Sequence, residues 1–131
     1  MIEKDGASET SQAEQKMTLS IKRQKEIEKA LTLVIPGAPF VDAEPIRVLA
    51  AKRKYKALPA STAIWLAAVA HIRHVHTEYD ALLDEGYERD AARHFVLEDI
   101  NAKLTEWRGT RFLDPFEEQE SADFTDEEEV Q

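Results

Sequence analysis

Three of the four histidines in the chain, His71, His74 and His76, fall within six positions of the stretch HIRHVHTEYD, residues 71 to 80. Arg73 lies among them, and Thr77, Glu78, Tyr79 and Asp80 follow at once. Imidazole titrates near neutral pH and ligates metals, so such a stretch can bind an ion, move a proton or line a polar seam between helices. Spacing decides among these. At about 100° per residue, an apolar stripe of Ala68, Ile72, Val75 and Tyr79 has His71, His74 and Glu78 on one flank. His76, Asp80 and Arg73 take the other flank, so the three histidines are expected not to converge. A metal ion needs three or four ligands about 2 Å from one point. A third ligand for His71, His74 or Glu78 would have to come from His94 or Glu98 in another segment, and the HExxH pattern is absent. General acid–base catalysis would need a nucleophile, an oxyanion loop or a Gly-rich phosphate cradle nearby. Of the four glycines, Gly6 lies near the N-terminus and Gly37, Gly86 and Gly109 mark helix ends. The expectation is therefore a structural seam with bridges such as His76 to Asp80 at i, i+4, with no enzymatic activity, no bound metal and no cofactor.

A second cluster is electrostatic. KRKYK, residues 52 to 56, is the densest positive run, and Arg47 precedes it by one to two turns. Lysines and arginines neutralise phosphates and release counterions, which gives salt-sensitive nucleic-acid binding. A tyrosine can stack on an unpaired base. Arg47, Lys52, Arg53, Lys54, Tyr55 and Lys56 are thus the candidate nucleic-acid contacts. The same run at a helix C-terminus would equally satisfy the last carbonyls and the helix dipole.

Charge and hydropathy show what must hold these groups in place. The chain has 131 residues and a net charge of -9, enough for one domain. The charge is uneven. Residues 114–131 carry nine acidic side chains and no basic one, whereas residues 19–58 carry nine basic and four acidic ones. The first 18 residues are polar, without an apolar period, and predict a disordered N-terminal segment; residues 114–131 predict a disordered acidic tail. Between them, residues 19–113 predict an all-α domain, a compact bundle of about four helices. Ile27, Leu31 and Val34 recur at helical spacing behind Ser20 as N-cap, with Pro36-Gly37 as the stop. Asp42 can cap a second helix with Ile46, Leu49 and Ala50 inward, closed at Leu58-Pro59. Ile64, Ala68, Ile72, Val75, Tyr79 and Leu82 mark a third helix of about 25 residues, capped by Ser61 or Thr62 and ended by Gly86, with a break foreseeable near Thr77. Ala92, Val96, Ile100, Leu104 and Trp107 line a fourth, ended by Gly109, with Phe112, Leu113 and Phe116 pinning the root of the tail. The absence of cysteine, of a signal-peptide pattern at the N-terminus and of an apolar run near roughly 20 residues predicts a cytoplasmic location without membrane association.

The segment from residue 59 to 109 resembles an uncharacterised family, domain of unknown function 2293. The resemblance rests on AHIRH (Ala70 to His74), T-x-Y-D-x-L-L (Thr77 to Leu83), G-x-x-R-x-x-A-R (Gly86 to Arg93) and W-R-G (Trp107 to Gly109). It brings no activity with it. It does single out His71, Arg73, His74, Thr77, Tyr79, Asp80, Arg89 and Arg93, most of them near the step from the third helix to the fourth. If Gly86 lets the chain reverse, Arg89 or Arg93 can reach back to Glu78, Tyr79 or Asp80 and fix the helix register. The expected function is a non-enzymatic binding or adaptor module acting through contacts with a protein partner. The alternatives are nucleic-acid binding through Arg47 and Lys52–Lys56, and binding of a metal or anionic ligand by the histidine–arginine cluster.

Overall fold

A computed structural model of the chain describes residues 2–115, with side chains from residue 12 onward. Among these residues there are only helices: α1 (Ile2–Val34), α2 (Phe40–Ala50), a 3-10 turn (Arg53–Tyr55), α3 (Ala60–His76), α4 (Tyr79–Asp84) and α5 (Arg89–Glu106). The bundle is organised around α3, which packs against α1, α2 and α5, while α4 lies on α5. Residues 63–70 of α3 are buried in unbroken succession. A helix apolar on every side belongs at the centre of a fold rather than on its face, and the alanines at 63, 67, 68 and 70 let its neighbours approach closely.

The apolar stripes fall where their periodicity puts them. Ile27, Leu31 and Val34 face inward from α1, Ile46 and Ala50 from α2, and Ala92, Val96, Ile100, Leu104 and Trp107 from α5. On α3 and α4, Ile64, Ala68, Ile72, Tyr79 and Leu82 are buried, but Val75 is 59% exposed. The ends of the helices differ more. α1 begins far upstream of Ser20, and residues 12–18, expected to be unstructured, continue it as helix with exposed side chains. The helix formers Ala13, Glu14, Gln15, Lys16 and Met17 sustain it without core contact. α2 starts at Phe40, after Pro39, so Asp42 sits inside its first turn rather than capping it, and α3 starts after Pro59 rather than at Ser61 or Thr62. Proline pre-sets the backbone angle at a helix start. α2 also ends at Ala50, which leaves the basic run outside it.

Two helix ends share one geometry. After α4 the Tyr87 and Gly86 N–H groups donate to the Leu82 and Leu83 carbonyls, with Gly86 at φ 102°. After α5 the Gly109 and Arg108 N–H groups donate to Leu104 and Thr105, with Arg108 at φ 57°. Both are left-handed reversals of the Schellman type, and at the second it is Arg108, not Gly109, that adopts the unfavourable angle. The chain beyond is strapped down. The Thr110 N–H donates to the Val34 carbonyl, and the Asn101 side chain both donates to and accepts from the Leu113 backbone (3.1 and 2.8 Å). Leu113 is buried, Phe112 is half-exposed, and Phe116 with residues 117–131 of the acidic tail lies outside the described residues. Gly37 donates its N–H to the Trp107 carbonyl at 2.7 Å, and a Cβ there would stand 2.9 Å from that carbonyl.

These contacts set stability differences that chemical denaturation measures. Gly86→Ala should lower stability by about 1 kcal/mol, whereas Arg108→Gly, in the same conformation and exposed, should raise it by up to about 1 kcal/mol. Gly37→Ala should cost about 1–3 kcal/mol through overpacking against the Trp107 backbone.

Candidate functional site

The histidine stretch is organised by a break in the helix. Thr77 leaves α3 in an extended conformation (φ -133°, ψ 175°). Its Oγ1 donates to the Arg73 carbonyl, one of the orphan acceptors at the end of α3, and accepts from the Tyr79 N–H at 3.1 Å at the start of α4. A β-branched hydroxyl residue can hold both helix ends in this way because its side chain competes with the backbone for the same partners. One continuous wheel therefore does not describe residues 71–80.

The consequences correct the pairing expected from the sequence. His76 does not bridge to Asp80. Its Nε2 meets Oδ1 of Asp42 on α2 at 2.7 Å, and Nε2 of His71 meets the same oxygen at 2.8 Å. His71 and His76, assigned to opposite flanks, thus converge on a carboxylate from another helix, with ring centroids 5.8 Å apart. Asp80 is taken instead by His74, whose Nδ1 lies 2.6 Å from Asp80 Oδ1 and whose ring meets Tyr79 edge-on at 5.3 Å. His94 and Glu98 are exposed on α5 and do not join either group. Asp42 is the residue that the sequence hid. Its one legible role was as a helix cap, and nothing local announces that it faces two histidines 29 and 34 positions away.

Asp42 is 6% exposed. Burial raises the carboxyl, but the hydrogen bonds and charge interactions with His71 and His76 outweigh it, and Asp42 is held below the ordinary aspartate range. His71 is as deeply placed as Asp42, while the His76 side chain is 25% exposed and its ring stands edge-on to buried Trp107 at 5.9 Å. The site is therefore a small polar cluster at the junction of α2, the end of α3 and the end of α5, most exposed at His76.

Two arginines of the same neighbourhood are buried. Arg73 is fully enclosed, with its guanidinium over the Tyr79 ring at 5.4 Å. Arg93 is 2% exposed and donates to Asp90 at 3.0 Å. Arg89, at the first position of α5, is exposed, as is Glu78. The described geometry thus reserves the interior for Arg73 and Arg93, and Arg89 does not share it.

The basic run divides between core and solvent. Tyr55, the expected stacking platform, is fully buried in the core, so it offers no face to a base. Its apolar ring gains more from burial among α1, α2 and α3 than from solvent, and Lys54 lies over it at 4.7 Å. Arg47 is engaged by Glu28 and Glu44. Arg23 donates to the Tyr55 carbonyl at 3.0 Å. Lys52, Arg53 and Lys56 remain exposed.

The pairing of Asp42 carries a pH signature. Its carboxyl is lowered in the folded state, so the stabilisation is complete above the unfolded aspartate value, roughly pH 4, and is lost as pH falls through the lower folded value. Asp42→Asn should cost about 1.5–3 kcal/mol at neutral pH, the scale of a charged hydrogen bond. In urea titrations that difference should shrink towards zero as the solution is acidified.

Comparison with known proteins places this geometry in context. A family model described as "Uncharacterized conserved protein (DUF2293)" matches residues 30–108, from the packed end of α1 through α5. No curated protein and no solved structure matches the chain.

Proposed function

The chain belongs to the family domain of unknown function 2293, and on that premise we propose that it is a non-enzymatic binding module that receives an amphipathic helix of a partner protein along α1 and α2. One observation carries this reading: the outer surface of α1 is apolar where it meets α2, and no element of the described chain covers it. A groove of about 500 Å³ runs between the two helices, lined by Ile21, Gln24, Lys25, Ile27, Glu28, Arg47, Val48 and Ala51. One turn further out on α1, Met17 is 66% exposed, and it shares the face of Ile21 at i, i+4. Residues 12–22 are exposed on every side. Isolated helices are marginal in water, and an apolar stripe of this kind is stabilised by a partner helix that anchors in the groove at i, i+3, i+4 spacing.

The rim selects the partner. Lys22 and Lys25 on α1 and Lys52 and Arg53 beyond α2 are exposed beside the groove helices, whereas the nearby acids Glu28 and Glu44 are already engaged by Arg47. A segment with an apolar face and acidic flanks fits this rim, and charge of this kind steers association and register more than it adds affinity. With Tyr55 buried, the basic residues lack the stacking partner that a single-stranded nucleic-acid site uses, so the same lysines are better read as the rim of a protein groove.

Site-specific photo-crosslinking in the full chain tests the proposal. A photoreactive residue at Ile21 or at Val48 should give the same discrete, nuclease-resistant protein adduct, and one at Phe95 on α5 should not. Met17→Glu combined with Val48→Glu should abolish the adduct while leaving helical circular dichroism unchanged. Adducts that nuclease removes, or an identical pattern from Phe95, would contradict the groove.

A further inference from the structure

We propose that Asp42, His71 and His76 form a binding site for a divalent transition-metal ion of the zinc type, with a coordination position left open on the His76 side. The inference starts from donor atoms. Asp42 Oδ1, His71 Nε2 and His76 Nε2 all lie within 4.8 Å of one another, and these three residues are the one such grouping of histidines and acids among the described residues. They come from two helices, α2 and α3, and point into the same small volume. Two imidazole nitrogens and one carboxylate oxygen are a donor set that suits zinc and related first-row ions, and three protein ligands leave a tetrahedral ion one free position for water.

The local structure is already close to what coordination requires. Both histidines present Nε2, so neither ring has to turn over. In the hydrogen-bonded form each Nε2 carries a proton and donates to Asp42 Oδ1, at 2.8 and 2.7 Å. An ion takes the place of those two Nε2 hydrogens: a neutral ring shifts its one proton to Nδ1, a charged ring gives one proton to solvent, and in either case both Nε2 atoms become lone-pair donors beside the ionised carboxylate. Ligand atoms about 2.0–2.2 Å from a tetrahedral ion stand roughly 3.3 Å apart, so each His–Asp pair has to open by only about half an ångström. Asp42 and the His71 side chain are held in the protein, while the His76 side chain is 25% exposed, which gives the ion a way in. His76 is also the last residue of α3, released by the Thr77 break, so it can make this adjustment without bending a helix. The Trp107 ring lies beside His76 with its plane nearly perpendicular to the imidazole. This site is independent of the α1–α2 groove, which shares none of its residues.

The test uses the untagged full chain, stripped with chelator and titrated with zinc chloride at neutral pH. Calorimetry should show one ion bound per chain. In the same titration by NMR, the ring signals of His71 and His76 should shift and saturate together, while those of His74 and His94 stay in place. Asp42→Asn and His76→Gln should each weaken binding by at least the roughly 10–100-fold that loss of an outer-shell partner costs at known sites, and His74→Gln and His94→Gln should leave it unchanged. Zinc that never saturates, that moves only His74 or His94, or that binds His76→Gln within about threefold of the original affinity would overturn the site. The NMR titration of the unaltered chain decides the question even if a variant fails to fold.

Discussion

The hydroxyl of Thr77 is the interaction on which the polar end of this bundle depends. By donating to the Arg73 carbonyl and accepting from the Tyr79 N–H, it stops one helix and starts another across two residues. Had α3 run on, His76 and Asp80 would have shared a flank and paired with each other. Because it stops, His76 is free to meet Asp42, and Tyr79 falls back over the Arg73 guanidinium. Asp80, displaced from its i, i+4 register, is taken by His74. A single short hydrogen-bonded residue thus redistributes the charged groups of ten positions among three helices.

Those redistributed groups pin the helices laterally. Asp42 ties α2 to α3 through two histidines on one oxygen, and His76 touches Trp107 at the end of α5. Trp107 in turn accepts through its carbonyl from Gly37, at the link between α1 and α2. Every long helix is therefore reached within a few contacts of the same cluster. Buried polar groups are costly unless satisfied, but once satisfied they favour a unique register over other equally apolar packings. That gives a physical sense to the short motifs on which the family resemblance rests. AHIRH supplies His71 and Arg73, the threonine–tyrosine–aspartate step supplies the break, and W-R-G supplies the ring beside His76 and the left-handed reversal.

The outer surface follows a different logic. The core is full, with Tyr55 drawn into it from the middle of the basic run, while Lys52, Arg53 and Lys56 stay exposed around it. Arg47 turns to Glu28 and Glu44, Arg23 to a backbone carbonyl. What remains uncovered is apolar as much as basic: Met17, Ile21 and Val48 line up beside the exposed lysines of α1. The outer end of α1 thus keeps Met17, Leu19 and Ile21 in contact with solvent rather than with the core.

The sequence by itself determined the all-α class, the inward faces of α1, α2 and α5, the reversal at Gly86 and the weak point at Thr77. Each of these follows from a period of 3.6 residues or from one residue's own backbone preference, and both are local properties. Helix starts were less legible, because Pro39 and Pro59 outweigh Asp42, Ser61 and Thr62, and because the early turns of α1 carry helix propensity without an apolar period. The convergence of His71 and His76 on Asp42, the burial of Tyr55 and the exposure of Val75 were decided only by the tertiary structure. They depend on which helix lies against which, and on how a break re-aims the side chains on either side of it. No spacing within a single segment encodes a contact made across 29 or 34 positions.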